Sequence, residues 1–377
     1  MNVAEQIVTQ LVDAGVHRIY GIVGDSLNPI VDAVRKTGGS AQGGIDWIHV
    51  RHEEAAAFAA SAEAQLTGKL AVCAGSCGPG NLHLINGLYD ANRTGAPVLA
   101  IASHIPSVQI GSTYFQETHP DRIFEECSVY NELISSAAQS PRTVNSAIRH
   151  AVGLGGVSVI TLPGDVSDLK AVEHVPTYAP ARPATLAPNP ADIDEAAALL
   201  NKADKVAIFA GAGVEGAHDE VIALADALKA PIGHSLRGKH FIQYDNPFDV
   251  GMTGLLGYGA AAEGMNDADV LILLGTDFPY DQFLPDTPTI QVDTHAEKLG
   301  RRTDVGLAIH AQVKPFIEAL LPHLRAGRSD SFLKSKIKKH SEIMHAPVGA
   351  YTRNVEKMRP IHPEYAAHLL NETAAKD

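Results

Sequence analysis

The sequence contains 377 residues, a length typical of two domains of ordinary size. Hydrophobic residues make up 45% of it and charged residues 19%, which excludes a disordered or fibrous chain. The formal net charge is −13 and no long basic run occurs, so the composition excludes an electrostatic site for nucleic acid or anionic lipid and favours small-molecule chemistry.

The first half of the chain alternates short apolar runs with helical patterns. Strands are predicted at HRIYGIV, IDWIHV, KLAVCAGS, APVLAIAS and GVSVITLP, and helices over 3–14, 29–37, 53–67 and 81–92. This alternation is typical of β-α-β units and predicts a three-layer α/β domain with a parallel sheet. The first domain is expected to comprise residues 1–169.

A second domain is predicted to follow a linker. Residues 170–190 are rich in proline and lack periodicity, which indicates an extended connection. Residues 191–345 repeat the strand and helix alternation and predict a second parallel, Rossmann-like α/β domain. Residues 346–377 are polar, with Pro363 at the first turn of a final helix, and resemble a linker leading towards a further domain.

Cysteine usage and the amino terminus indicate a cellular location. Cys73, Cys77 and Cys127 are too few for a disulfide framework and lack zinc-site spacing, so buried or loop thiols in a reducing cytoplasm are expected. The amino terminus carries acidic residues and lacks the regions of a secretory signal.

Two features of the first domain could carry chemistry. Glu53 stands where a strand ends and a helix begins, the position at which open α/β sheets bind ligands, although an acidic residue there also complements the helix dipole. Gly75, Gly78 and Gly80 form a turn between a strand and a helix, which either exposes backbone N–H groups to a ligand or only makes a tight turn.

Two further motifs have equally open interpretations. Phe115 and Gln116 lie in a predicted loop and suit a small carboxylate substrate as well as an ordinary loop. Residues 211–216 match G-x-G-x-x-G after a strand, the dinucleotide fingerprint. The acidic residue that NAD requires is replaced by His234 and Ser235 at the end of the next strand, so a different adenine dinucleotide is expected.

Several longer segments together indicate a family. They are YGIVGDSLN (20–28), the run from 51 to 91 that begins RHEEAAAF, YFQETHP (114–120), LRGK (236–239), YDNPFDVGMTGLLG (244–257) and LLGTDFPY (273–280). With these segments the chain resembles thiamine-diphosphate enzymes of the pyruvate oxidase group over its whole length. The resemblance implies an N-terminal domain for the aminopyrimidine of thiamine diphosphate and a central FAD domain. It also implies a C-terminal domain that binds the diphosphate and Mg²⁺.

That third domain is expected to be missing, because neither Gly24-Asp25 nor Gly164-Asp165 begins the family's metal signature. These 377 residues by themselves are therefore expected to be inactive. No metal ligand is assigned within them.

The resemblance also assigns residues. Glu53 matches the catalytic glutamate at the pyrimidine N1′, and Asp25, Ser26, Phe115 and Gln116 match positions near the substrate. The positions that match FAD contacts are Gly211, Gly213, Arg237, Gly251, Thr253, Gly275, Thr276, Phe278 and Asp293. Two departures affect the adenine end of that site: His295 stands where relatives have Asp or Asn, and His310 where an Asp is usual.

The implied reaction is the oxidative decarboxylation of pyruvate to acetate and CO2, with electrons passing through FAD to a quinone. A homodimer or homotetramer is expected, with Phe115 and Gln116 serving an active site shared across a dimer. Any peripheral membrane contact would involve only the region beyond these residues. Two alternatives stay open, a FAD-containing carboligase similar to acetolactate synthase and a non-catalytic two-domain protein that binds a nucleotide or a partner.

Overall fold

The structure is a computed structural model that describes residues 1–173, 178–179 and 184–375, without the side chains of 346–348. The chain divides into two compact units, Met1–Arg182 and Pro183–Asp377. The linker predicted over 170–190 spans this division, and its residues 174–177 and 180–183 lie outside the described residues. At its start, Lys170 still pairs with Asn2 of the first unit.

The first unit contains a parallel sheet of six strands. Its strands are β1 (Arg18–Gly21), β2 (Asp46–His49), β3 (Ala71–Gly75), β4 (Val98–His104), β5 (Tyr130–Leu133) and β6 (Val157–Pro163). They lie in the order β2-β1-β3-β4-β6-β5, and every neighbouring pair is parallel. Its helices are α1 (Val3–Asp13), α2 (Asn28–Lys36), α3 (Glu53–Thr67), α4 (Pro79–Thr94), α5 (Pro120–Ile123), α6 (Ser140–Leu154) and α7 (Gly164–Ser167).

Helices cover both faces of this sheet. Alternate residues of β3 belong to different apolar clusters, Val72 with the cluster that contains α1, α2 and α6, and Cys73 with the cluster that contains α3 and α4. Strands β4 and β6 are buried along their whole length, as the central strands of a sheet covered on both faces must be. The predicted three-layer α/β class is confirmed, although β5 and α6 were not predicted.

The second unit contains a sheet of seven strands. They are β7 (Val206–Ala210), β8 (Ile232–His234), β9 (Asp249–Met252), β10 (Tyr258–Gly259), β11 (Val270–Leu274), β12 (Thr289–Asp293) and β13 (Leu307–His310), in the order β10-β9-β8-β7-β11-β12-β13. Its helices are α8 (Pro190–Lys202), α9 (His218–Leu228), α10 (Lys239–Ile242), α11 (Ala261–Asn266), α12 (Val313–Leu320), α13 (Ser331–Thr352) and α14 (Pro363–Thr373).

One edge of this sheet differs from the prediction of a purely parallel arrangement. Strand β10 pairs with β9 in the antiparallel direction. The hairpin needs backbone angles that glycine adopts readily, and Gly251 and Gly254 have φ of +95° and +113°. The core β-α-β arrangement is otherwise parallel, as expected.

The end of the second unit is helical. Helix α13 runs through the predicted domain boundary at residue 345, so that boundary does not coincide with the end of an element. Helix α14 begins at Pro363, as predicted from the position of that proline. Within the described residues, no helix has both the length and the apolar character that crossing a bilayer requires.

Candidate functional site

The carboxyl ends of β1 to β4 bring the candidate residues of the first unit to one edge of its sheet. Ser26 follows β1, Glu53 follows β2, Gly78 follows β3 and Gln116 follows β4. In parallel α/β sheets this edge is where ligands bind. Glu53 is the first residue of α3 and is only 8% exposed.

The two carboxylates at the start of α3 have different surroundings. The oxygen Oε2 of Glu53 accepts a hydrogen bond from His83 Nδ1 at 3.1 Å. The other oxygen of Glu53, Oε1, lies close to Gly80, because a Cβ atom added to Gly80 would lie 3.2 Å from it. Glu54 is half-exposed and accepts from Asn86 Nδ2 on the neighbouring helix. A role limited to the helix dipole therefore fits Glu54 better than the buried Glu53.

The glycine turn between β3 and α4 is built by close backbone packing. A Cβ at Gly75 would lie 2.7 Å from the carbonyl oxygen of Gly80. Gly78 has φ of +67°, and a Cβ there would lie 2.8 Å from Cβ of Gln116. The glycines therefore make the turn tight and let the loop that contains Gln116 approach it. Exposure of backbone N–H groups to a ligand stays a prediction.

Ser26 and Gln116 contact this turn directly. The Ser26 hydroxyl lies 2.9 Å from that of Ser76 and accepts from the backbone N–H of Cys77 at 3.0 Å. Cys77 in turn donates from Sγ to Gln116 Oε1 at 3.5 Å. The structure therefore brings Ser26, Gln116 and the glycine turn together.

The other two predicted substrate residues lie on the surface. Asp25 is exposed and accepts from the backbone N–H of Ser26 at 2.8 Å. Phe115 is 78% exposed in the single chain. The structure brings neither of them into contact with Glu53.

No sequence pattern indicates the two histidines that lie beside Glu53. The rings of His52 and His83 stack with centroids 4.4 Å apart. The potential ligand atoms of His52, Glu53 and His83 all lie within 4.8 Å of one another, close enough for a metal ion. His83 is 30 residues from Glu53 in sequence, and only the packing of α4 against α3 reveals the pair.

The cysteines are free and buried, as predicted. Burial raises the pKa of Cys73 to about 12 and that of Cys127 to about 11. Both thiols are therefore protonated and unreactive at neutral pH.

In the second unit, two glycine loops meet at the carboxyl edge of the sheet. The N–H of Gly211 donates to Leu274 O at 2.8 Å, and that of Gly213 donates to Gly275 O at 2.9 Å. A Cβ at Gly211 would lie only 2.3 Å from the carbonyl oxygen of Gly275. The loops after β7 and β11 thus pass each other as bare backbone, and the N–H groups of Gly211 and Gly213 are bonded within this crossing.

The remaining predicted FAD residues follow the carboxyl ends of neighbouring strands. Arg237 follows β8, Gly251 lies in β9, and Asp293 is the last residue of β12. Four of the predicted FAD residues at this edge have buried side chains, namely Thr253, Thr276, Phe278 and Asp293. The structure therefore places the whole predicted set along one edge.

The two departures from the family pattern lie side by side. His295 Nδ1 is 3.4 Å from a carboxylate oxygen of Asp293. His310 Nε2 is 3.0 Å from the carbonyl oxygen of Thr294. Both imidazoles thus flank the carboxyl end of β12, the predicted adenine end of the site.

Comparison with known proteins places both units in one family. Residues 1–123 match the family described as thiamine pyrophosphate enzyme, N-terminal TPP binding domain, and residues 193–320 match thiamine pyrophosphate enzyme, central domain. A 42.6 kDa protein from the isoamylase 3′ region of Pseudomonas amyloderamosa is 54% identical over 88% of this chain and 83% of its own length.

Two relatives with named activities are more distant. Pyruvate oxidase of Lactiplantibacillus plantarum (strain ATCC BAA-793 / NCIMB 8826 / WCFS1) is 32% identical over 86% of this chain. The large subunit of acetolactate synthase isozyme 1 of Escherichia coli (strain K12) is 31% identical over 86% of this chain. The matched region spans only 54% of the first relative and 58% of the second.

Proposed function

Because the chain belongs to the thiamine pyrophosphate enzyme family, we propose that it is part of an enzyme that oxidatively decarboxylates pyruvate to acetate and CO2. In this proposal the electrons pass through FAD to a quinone. The observation that carries it is Glu53, a nearly buried carboxylate at the carboxyl edge of a parallel sheet with one oxygen fixed by His83. The similarity to a pyruvate oxidase supports the choice of substrate.

The residues at the edge of the first unit fit an aminopyrimidine. The glycine turn leaves Oε1 of Glu53 uncovered by side chains on the side of Gly80, where even a Cβ would come within 3.2 Å. In this proposal the aminopyrimidine ring would pair with this oxygen. Bound thiamine diphosphate would supply the carbanion that adds to the keto carbon of pyruvate.

Glu53 performs the proton chemistry in this arrangement. Its carboxyl group would hydrogen-bond the ring nitrogen N1′ and hold a proton there, which favours the imino form of the neighbouring amine. His83 keeps Oε2 occupied, so the carboxyl group presents a defined oxygen to the ring. Ser26 and Gln116 line the same turn and would orient the substrate carboxylate.

The second unit fits an extended dinucleotide. The glycine loops after β7 and β11 present no side chain at Gly211, Gly213 or Gly275, and the buried hydroxyls of Thr253 and Thr276 lie along the same edge. FAD held there would accept the electron pair released after decarboxylation. Mg²⁺ and the diphosphate would be held by the third domain that the family resemblance implies.

The proposal also includes the assembly of the protein into a homodimer or homotetramer and its location in the cytoplasm. Tyr114 and Phe115 are 45% and 78% exposed in the single chain, and a second copy covering them would form a homodimer. Three free, buried cysteines fit a reducing cytoplasm.

A second candidate is a FAD-containing carboligase, because an acetolactate synthase subunit is 31% identical to the chain. Pyruvate added without oxygen to the full-length enzyme, supplied with FAD, thiamine diphosphate and Mg²⁺, distinguishes the two. Bleaching of the flavin with formation of acetate supports the oxidase. Acetolactate formation without bleaching supports the carboligase, and no reaction in the full-length enzyme supports a non-catalytic binding protein.

A further inference from the structure

The amino edge of the second sheet carries a surface cleft of about 590 Å³. It lies where β7 and β11 begin and where α13 starts, at the opposite end of these strands from the glycine loops. Its lining includes four basic residues and two acidic ones, namely Lys205, Arg325, Arg328, Lys336, Asp204 and Asp267. This volume is in the range of small-molecule sites, roughly 300–1,000 Å³.

Two arginines of the cleft converge on a single carbonyl group. Arg325 Nη2 and Arg328 Nη1 donate to the carbonyl oxygen of Ala203 at 3.2 and 2.9 Å. Arg325 also pairs with the exposed Asp204 at 3.1 Å. Arg328 Nη2 also donates to the carbonyl oxygen of Leu200. Within the described part of the chain Arg328 has no carboxylate partner, and its Nε is buried without a hydrogen-bond acceptor.

The charge of Arg328 is thus poorly compensated. Burial lowers the pKa of its guanidinium, and the neighbouring Arg325 lowers it further against a smaller opposing effect of Asp204. Two adjacent guanidiniums that share one neutral acceptor repel each other, and a bound anion would relieve that repulsion. This local positive charge occurs in a chain whose formal net charge is −13.

Further donors surround the two arginines. Ser329 donates its hydroxyl to Ser331 Oγ at 3.0 Å, so the hydroxyl hydrogen of Ser331 is available to a ligand. Ser331 begins the 22-residue helix α13, whose amino end the Asp330 side chain does not cap. The exposed Lys205 adds a further cation. Lys336 is already neutralised by Asp267 and Glu263.

We propose that this cleft binds a small molecule through a phosphate group, separately from the cofactor edge of the same domain. Forked guanidinium donors, a serine hydroxyl and a helix amino end are the groups that recognise a tetrahedral oxyanion. The ring of Phe332 lies in the cleft wall, where it is 9% exposed and Lys336 Nζ lies 5.6 Å from its centroid. Both inorganic phosphate and a nucleotide such as ADP carry the required chemistry.

Calorimetric titration of the protein with inorganic phosphate and, separately, with ADP tests the proposal. The titrations use protein saturated with FAD, so that the glycine loops do not contribute. We expect one site per chain, and Arg325→Glu and Lys205→Glu should each weaken binding roughly tenfold or more. Tighter binding of ADP than of phosphate would identify a nucleotide as the ligand class, and equal binding would identify phosphate alone.

The matched control is Lys202→Glu, the same charge change at an exposed position of α8 that does not line the cleft. It should bind like the unmodified protein. The proposal is wrong if neither anion binds, or if Arg325→Glu and Lys205→Glu bind as tightly as the control while melting at the same temperature. Should the protein take up no FAD, the same variants compared on the protein as purified still decide the question, since the cleft contains none of the predicted FAD residues.

Discussion

His83 Nδ1 lies 3.1 Å from Oε2 of Glu53, which ties the first turn of α3 to helix α4 at the carboxyl edge of the first sheet. The ring of His83 stacks on that of His52, so its orientation is fixed from a second side. One carboxylate oxygen is therefore held by the protein, and the other faces the glycine turn at Gly80. This arrangement explains why two adjacent glutamates should differ in function.

Replacing Glu53 by glutamine should abolish most of the activity of the full-length enzyme. A neutral amide cannot drive the aminopyrimidine tautomerisation as a carboxyl group does, so kcat should fall by roughly a hundredfold or more. Steady-state pyruvate turnover measures the loss, and flavin absorbance checks that FAD is retained.

Glu54→Gln is the matched control, because Glu54 makes the same charge contribution one residue further along the helix. It should lower turnover less than about threefold. Equal losses at the two positions would contradict the assignment of Glu53, and would mean that the wrong carboxylate was chosen or that both residues act only at the start of the helix.

His83 should act as a positioning residue. His83→Ala removes the hydrogen bond to Glu53 and should lower kcat by roughly tenfold, with a smaller change in KM, because supporting partners of this kind typically contribute 10- to 100-fold. His83→Asn keeps a donor and should restore part of the loss. The pH profile of kcat should shift in the alanine variant, whereas unchanged kcat and pH profile would remove His83 from the mechanism.

Gly213→Ala should prevent FAD binding. Its Cβ would lie 2.6 Å from the Cα of Gly275, so the loops after β7 and β11 must separate, at a cost of about 1–3 kcal/mol. Flavin absorbance that no longer co-elutes with the protein in gel filtration measures the effect.

Gly306→Ala, at the residue before strand β13 of the same unit, is the control. A Cβ there meets only ordinary contact, at 3.7 Å from Thr289 O, so FAD content should not change. Full flavin content in Gly213→Ala would mean that the cofactor does not use this pair of loops.

Local sequence signals predicted much of the fold. The bounds of α3 follow from Glu53 after an extended His52 and from Gly68, whose left-handed φ of +65° ends the helix. The continuous apolar runs that became β4 and β6 are seven residues long, which is too short for a typical buried helix and therefore indicates strands. Strand β5 was missed because its four residues are only partly buried and carry no such run.

Contacts between distant residues could not be predicted. The Glu53–His83 pair depends on how α3 packs against α4, and the shared acceptor of Arg325 and Arg328 lies more than 120 residues away in sequence. Neither pattern has a local signature, because hydrophobic periodicity fixes which face of a helix is buried and leaves its polar partners undetermined.

Acid should destabilise the protein through two buried histidines. His234 is fully buried and His104 is 3% exposed, and burial lowers the pKa of both below the ordinary value of about 6.5. The unfolded chain takes up a proton at each histidine near that value, while the folded chain does so only at lower pH. The free energy of unfolding should therefore fall as the pH drops below about 6.5, and it should stop falling once the pH passes the pKa of the histidine in the folded chain.

Urea unfolding between about pH 5 and 8 measures how steeply the free energy of unfolding depends on pH. His104→Gln should reduce this dependence, and the exposed control His240→Gln should leave it unchanged. An equal dependence in both variants would exclude His104 as a source of the acid destabilisation.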